Sequence, residues 1–166
     1  MRRITALMSV AAVVLMTAGL FAQAKPSFAG KWTRDAASAP APPAGGGGGG
    51  RGGGGGLGMD LTITQDASTL TIEYMGGGQA PAPVKLVYKL DGSESKNMMM
   101  GRGGPAEQVS KAAWAGSTLV ITTTTANGEQ KRVFAMEGGN MTVETTAPGR
   151  DGGPGTPMKV TYKKGM

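Results

Sequence analysis

Apolar and polar residues alternate along most of this chain. In residues 69–75, for example, Leu70, Ile72 and Tyr74 are separated by threonine and glutamate. The same period of two recurs in several further segments that are rich in β-branched and aromatic residues. Such alternation is typical of antiparallel strands with one buried face. After the first two dozen residues, no stretch shows the apolar spacing of a helix, so we predict an all-β protein.

Turn signals divide these segments into consecutive strands. Asp91-Gly92 and Asn127-Gly128 are strong tight-turn pairs, because Asn, Asp and Gly tolerate positive φ. Short sequential hairpins favour an up-and-down antiparallel barrel of about 8–10 strands, and closure removes exposed edges. A two-sheet β-sandwich is the alternative, since periodicity does not separate the two folds. The predicted strands are 28–34, 58–65, 69–75, 84–90, 95–100, 107–114, 117–125, 129–137, 140–146 and 157–163.

The first residues have the layout of an export signal. Two arginines precede a mostly apolar run at 4–20, and Ala22 and Ala24 supply the small residues that signal peptidase requires. We therefore predict a signal peptide at 1–24 and a periplasmic or extracellular mature protein that starts at Lys25. An uncleaved anchor is the alternative, but the run is short for a membrane span. No stable membrane insertion is expected after cleavage.

Composition narrows the possible chemistry. The chain has no histidine and no cysteine, which excludes His- or Cys-based catalytic sets and the usual zinc ligands. The 11 acidic residues show no spacing that pairs two of them in one pocket. The net charge of +6 is spread along the chain rather than clustered as in nucleic-acid-binding proteins. We expect no enzyme activity, no catalytic residue, no cofactor and no nucleic-acid partner.

Residues 36–58 form a tract of low complexity. The tract begins with Ala-Pro repeats and continues as glycine interrupted by Arg51. It has almost no apolar surface to bury, so burial cannot offset its ordering entropy. We predict a flexible, disordered loop within a single domain that spans 25–166.

The opening strand carries a recognisable motif. Gly30-Lys31-Trp32 resembles the first-strand Gly-x-Trp of lipocalins and fatty-acid-binding proteins, which are calycin β-barrels. The chain is also similar to small exported bacterial proteins with lipocalin-like barrels, through a strand with an Asp-Gly turn at 88–92 and a Trp-Ala-Gly turn at Trp114. The resemblance implies that Trp32 plugs one barrel end and that Gly30 is structural. It also implies that Lys163 or Lys164 covers the plug through a cation–π contact.

The chain departs from these families in ways that affect the expected ligand. Fatty-acid-binding proteins have two lid helices after the first strand, where this chain has the tract 36–58. Their last strand carries an Arg-x-Tyr that grips a carboxylate, whereas Val160 precedes Tyr162 by two residues here. Fatty-acid binding is therefore not carried over from the resemblance, although the barrel is.

The candidate ligand-binding residues are those that the strand register turns inward. They are Tyr74, Tyr88, Trp114, Arg132 and Phe134. Small or polar neighbours on the face of Trp114 would leave room and hydrogen-bonding capacity for a small apolar or amphipathic molecule. These neighbours are Gln108, Ser110 and Ala112. The alternative is that the aromatic residues fill the core and that the protein is a structural or interaction module of the cell envelope.

A run of three methionines suggests a further candidate site. Thioether sulfur selects Cu(I), and Met98 and Met100 share one side of the predicted strand. The alternative is adaptable core packing by methionine. Copper binding is the minor alternative, and no other metal site is expected.

Overall fold

The computed structural model describes residues 24–38, 56–76, 82–101, 104–126, 128–149 and 153–165. Nearly all of the predicted signal peptide at 1–24 lies outside these residues, and so does most of the glycine- and proline-rich tract. Among the described residues, no helix has the length and apolar character needed to cross a membrane.

Ten antiparallel strands build the structure, and all ten predicted strands are confirmed. The first strand begins at Gly30 instead of residue 28, because the two preceding residues belong to an extended N-terminal segment. The strands are β1 (Gly30–Arg34), β2 (Asp60–Gln65), β3 (Thr69–Met75), β4 (Pro83–Lys89), β5 (Glu94–Gly101), β6 (Gly104–Ala115), β7 (Thr118–Thr125), β8 (Gly128–Glu137), β9 (Asn140–Thr146) and β10 (Met158–Lys164).

The strands form one up-and-down sheet that curls into a nearly closed barrel. Its order is β4-β3-β2-β1-β10-β9-β8-β7-β6-β5, so the first and last strands pair with each other. In that pairing Trp32 lies opposite Lys164, and Arg34 lies opposite Tyr162. The barrel prediction is therefore confirmed over the sandwich. The outermost strands of the sheet, β4 and β5, meet along a line that we call the β4–β5 seam.

The barrel has two unlike ends. At one, which we call the turn end, short connections join β2 to β3, β4 to β5, β6 to β7 and β8 to β9. The opposite loop end carries the long connections β1–β2, β3–β4 and β9–β10 together with the two-residue connections β5–β6 and β7–β8. The β1–β2 connection holds the glycine- and proline-rich tract. The turn between β8 and β9 consists of Gly138 and Gly139, whose φ angles of 57° and 85° suit glycine.

The N-terminal segment closes the turn end. Phe28 is fully buried, and its ring stacks on Trp114 at 5.9 Å and meets Phe134 edge-on at 5.9 Å. The Trp32 indole donates a 2.8 Å hydrogen bond to the Phe28 carbonyl, and Phe28 N–H donates to the Gln65 side chain at 2.8 Å. We call residues 25–29 the strap. The strap and Trp32 together plug this end of the barrel.

Gly30 is required by its conformation. Its φ of 140° lies where side-chain-bearing residues are rarely found. A Cβ there would also stand 3.8 Å from the Trp32 indole nitrogen and 3.6 Å from the Lys164 side chain. The glycine of the Gly-x-Trp motif therefore lets the chain turn from the strap into β1.

The ends of the predicted loop 36–58 are ordered, which corrects that prediction at its margins. Ala36–Ser38 forms a 3-10 helix, and the Ser38 hydroxyl accepts a 2.9 Å hydrogen bond from Thr161 N–H of β10. At the other margin Leu57 is buried, and the Gly58 carbonyl accepts a hydrogen bond from the Tyr162 hydroxyl at 3.1 Å. Backbone and side-chain hydrogen bonds at these margins supply contacts that composition does not reveal. Residues 39–55 lie outside the described part of the chain.

Candidate functional site

The barrel interior divides into an apolar and a polar region. The turn end is filled by four aromatic side chains that we call the aromatic plug, namely Phe28, Trp32, Trp114 and Phe134. Aliphatic side chains such as Leu70 and Leu119, both fully buried, fill the remainder of this end. The rest of the interior includes many buried polar side chains, and Ser110 and Thr123 share a 2.8 Å hydrogen bond there. The described buried polar residues of the interior are Ser95, Asn97, Ser110, Thr123, Gln130, Arg132 and Thr145. Thr142 is also buried, but it lies on the outer face beside Glu137.

Arg132 is the charged group at the centre of this polar region. Strand β8 turns it inward between Gln130 and Phe134, and only 5 % of it is exposed. Its guanidinium donates a hydrogen bond to the Tyr88 hydroxyl and interacts electrostatically with Tyr74 and Tyr162. Three tyrosines from β3, β4 and β10 thus surround one cation.

The tyrosine hydroxyls are held in their neutral form. Burial raises the pKa of Tyr74 and of Tyr88, and Arg132 opposes that rise at both residues. Burial raises the pKa of Tyr162 to about 12, against the opposing charges of Arg34 and Arg132. Neutral phenols can donate hydrogen bonds to an anion, so near neutral pH the hydroxyls of Tyr74 and Tyr88 retain protons to donate, whereas the Tyr162 proton is donated to the Gly58 carbonyl.

Arg34 is a second interior cation, which the sequence reasoning did not single out. It follows Gly30 and Trp32 on the inward face of β1 and lies opposite Tyr162 in the sheet. Its Nε atom is buried and has no hydrogen-bond partner among the described residues. The alternation along β1 was the available signal, since Lys31 and Thr33 are exposed. An arginine from β1 thus lies beside Tyr162, whereas the last strand itself carries Val160 two residues before that tyrosine.

The five predicted ligand-binding residues all face the interior, but they fall into two groups. Tyr74, Tyr88 and Arg132 belong to one group, which also contains Arg34 and Tyr162 and which we call the cation–tyrosine cluster. Trp114 and Phe134 belong to the aromatic plug at the turn end. The neighbours predicted on the inward face of Trp114 behave as expected, because Ser110 and Ala112 are buried and Gln108 is half-buried.

The lysines expected to cover Trp32 have other surroundings. Lys163 points outward and forms a 3.0 Å ion pair with Asp35, so it does not cover the plug. Lys164 lies opposite Trp32 in the sheet. The cation–π contact at this end is made by the strap, where Lys25 lies 5.7 Å from the Trp114 ring centroid. This contact covers Trp114 and not Trp32, so it is distinct from the cation–π contact predicted at Trp32.

Met98, the described member of the candidate methionine pair, is not enclosed. Met98 is 59 % exposed on the outer face of β5, whereas Met99 packs against the core. The side chain of Met100 lies outside the described part of the structure. No group of three or more His, Cys, Asp or Glu suited to a metal ion occurs within the described ranges.

Comparisons with known proteins identify the fold. No protein-family model matches the sequence, and no curated protein matches it. Solved structures do match. An asparagine-to-glutamine variant of the fluorescent protein UnaG is 17 % identical, with a TM-score of 0.55, over 82 % of this chain and 95 % of that one. The REP1-NXSQ fatty acid transporter is 12 % identical, with a TM-score of 0.52, over 83 % and 96 %. At these identities the likeness is one of fold, and that fold is the calycin-like barrel.

Proposed function

We propose that this protein is an exported, non-enzymatic binding protein whose barrel holds a small amphipathic molecule with an anionic group. The observation that carries the proposal is the cation–tyrosine cluster, in which Arg34 and Arg132 both act on Tyr162 inside the barrel. A buried cation is costly to desolvate. The presence of two arginines beside an apolar region is therefore best explained by a ligand whose anionic group contacts the arginines and whose apolar part contacts the apolar region.

The arrangement suits a ligand with two unlike ends. A carboxylate, sulfate or phosphate group would lie among the guanidinium groups and phenols, where charge-assisted hydrogen bonds are strong. An apolar body would extend towards the plug formed by Phe28, Trp32 and Phe134. An arginine from β1 and one from β8 would thus orient the molecule within the barrel.

The size of the barrel and its small interior residues favour a cavity. A barrel of about eight strands is just wide enough for side chains to fill, and this one has ten. Serine, threonine and alanine occupy several inward positions on β5, β6 and β7. The fatty acid transporter that shares the fold gives independent support for a ligand with an apolar chain.

Binding of parinaric acid, a fluorescent polyene fatty acid, tests the proposal. We expect saturable binding, with the acid bound at least about tenfold more tightly than its methyl ester because only the acid carries a charge. Arg34→Gln should weaken binding of the acid about tenfold and leave the ester unchanged. Lys31→Gln is the matched control, since it removes the same charge from the outer face of the same strand. Absence of binding, or equal affinity for acid and ester, contradicts the proposal.

The natural ligand and the export can be examined in one preparation. We expect native mass spectrometry of protein isolated from the cell envelope fraction to show a chain that begins at Lys25 and carries a small anionic molecule. An empty chain that co-purifies with a protein partner would favour the structural or interaction module instead. A chain that retains residues 1–24 in the cytoplasm would contradict export.

A further inference from the structure

The β4–β5 seam is closed by side chains instead of a backbone ladder. The Asn97 amide oxygen accepts a hydrogen bond from Val87 N–H at 2.7 Å, and its nitrogen donates to the Val87 carbonyl at 3.0 Å. The Ser95 hydroxyl accepts from Lys89 N–H at 2.8 Å. An amide side chain offers one acceptor and donors in the layout of a peptide group, so Asn97 substitutes for a missing strand partner.

The hydrogen bonds that join β4 to β5 lie only near the turn between these strands. The connection at residues 90–93 joins β4 to β5 at the turn end, and Ser95 and then Asn97 tie the strands together as they leave it. Beyond Asn97, no hydrogen bond joins β4 to β5 among the described residues. The two strands are therefore not hydrogen-bonded to each other towards the loop end, and Asn97 makes the last hydrogen bonds between them.

Opening the seam would leave both strands folded. β4 keeps its ladder with β3 from Thr69–Lys89 to Met75–Pro83, and β5 keeps its ladder with β6 from Glu94–Lys111 to Gly101–Gly104. Parting β4 from β5 breaks three hydrogen bonds, whereas parting any other neighbouring strands of the described sheet breaks a backbone ladder. Local opening follows the weakest set of contacts, so the seam is where this barrel opens first.

The seam also leads to the cation–tyrosine cluster. Tyr88 faces inward from β4 between the two seam-facing residues Val87 and Lys89, and its hydroxyl accepts a hydrogen bond from Arg132. Asn97 is buried on the facing strand. A molecule that passes between the strands at Asn97 therefore reaches the interior arginines directly, whereas the turn end is blocked by Phe28 and Trp32.

We propose that the ligand enters and leaves the barrel sideways through the β4–β5 seam. The two hydrogen bonds of Asn97 to Val87 hold this route closed, and we call Asn97 the latch. This inference rests on the proposed ligand binding. It predicts that the latch controls the rate of exchange and leaves the affinity nearly unchanged, because Asn97 holds the route closed and Arg34 and Arg132 hold the ligand.

Cross-linking across the seam tests the route. The chain has no cysteine, so Val87→Cys with Lys96→Cys places a single pair of thiols on the outer face for a short bifunctional cross-linker. We expect the cross-link to slow both association and dissociation of parinaric acid at least about tenfold, with affinity changed less than about twofold. The matched control is Glu73→Cys with Lys85→Cys, which lie directly opposite each other on the laddered pair β3 and β4. Cross-linking this control pair should leave the rates unchanged.

Unchanged rates in the cross-linked seam overturn the route while leaving ligand binding in place. A protein that does not bind the probe removes both the proposed function and the route. A second measurement needs no substitution. Hydrogen exchange should be at least about tenfold faster at the amides of Val87 and Lys89 than at those of Leu86 and Tyr88, because successive strand residues point to opposite neighbours. Equal protection along β4 also overturns the latch.

Discussion

At the scale of single residues, the interior is defined by cations and phenols from distant parts of the sequence. Arg34 and Tyr162 are far apart in the chain yet lie opposite each other in the sheet. Burial then raises the pKa of Tyr162 to about 12. The residue types are ordinary, and it is their position inside the barrel that makes them the anion site that we propose.

The raised tyrosine pKa predicts a loss of stability in alkali. Below about pH 10 Tyr162 is protonated in both states and contributes no slope. Between about pH 10 and 12 the unfolded chain releases its proton first, so the free energy of unfolding falls as pH rises. A two-unit shift corresponds to about 2–3 kcal/mol. Denaturant unfolding measured at several pH values checks this, together with the absorbance of tyrosinate.

Tyr162→Phe is the control for that titration. It removes the hydroxyl that donates to Gly58, so it should lower stability at neutral pH but flatten the alkaline decline. A smaller decline from Tyr74 and Tyr88 should persist, because burial raises the pKa of these residues too. An unchanged alkaline slope in the variant would mean that Tyr162 does not cause it.

At the scale of elements, the strap and the first strand act as one unit. The strap precedes β1, and its Phe28 ring lies against side chains of β6 and β8. Trp32, on β1, returns a hydrogen bond to the strap. The plug therefore depends on a short N-terminal segment that begins where the predicted signal peptide ends.

We expect Trp32→Ala to lower the free energy of unfolding by about 3–5 kcal/mol. Trp32 is only 2 % exposed, and its removal leaves a cavity and a buried Phe28 carbonyl without its donor. Trp32→Phe keeps much of the volume but loses the hydrogen bond, so it should cost about 1–2 kcal/mol. Chemical denaturation measures both. A loss below about 1 kcal/mol for the alanine variant would mean that Trp32 is not the plug.

At the scale of the whole molecule, the described acidic side chains are separated from the two interior arginines. The described acidic side chains lie on the outer surface, and ion pairs such as Lys85–Glu73 and Lys111–Glu94 join neighbouring strands there. Such exposed pairs contribute little to stability. Arg34 and Arg132 face inward instead. The barrel thus holds positive charge where desolvation makes it unfavourable for an empty protein, and where the proposed anion would bind.

This separation predicts a conflict between stability and binding. Arg34→Met keeps a long side chain but removes a charge whose Nε is buried without a partner among the described residues. We expect the free energy of unfolding of the empty protein to rise by about 1 kcal/mol, while binding of parinaric acid weakens. Thermal and denaturant unfolding, with and without the acid, measure both effects. The same substitution at exposed Lys31 should change neither, and a destabilised Arg34→Met variant would contradict the argument.

Much of the fold could be predicted from the sequence because strand periodicity is local. In each alternating segment, such as residues 69–75, the apolar positions predict which side chains are buried. Each tight turn then joins the segment to the next strand. The inward positions of Tyr88 and Arg132 followed from the same alternation. Arg34 was not predicted as an interior residue because the Gly-x-Trp motif ends at Trp32, although the alternation of β1 continues to the strand's last residue.

The sequence by itself determined the approximate bounds of the strands, their sequential hairpin connections and the alternation of faces along most of them, because these depend on neighbours in the chain. Only the tertiary structure decided which strands close the barrel, that β1 brings Arg34 beside Tyr162, and that Asn97 fastens the β4–β5 seam. Those features depend on curvature and register summed over the whole sheet. Curvature and register of a whole sheet cannot be read from a local sequence pattern. The closure of the barrel, the cation–tyrosine cluster and the Asn97 latch therefore exist only once the barrel has formed.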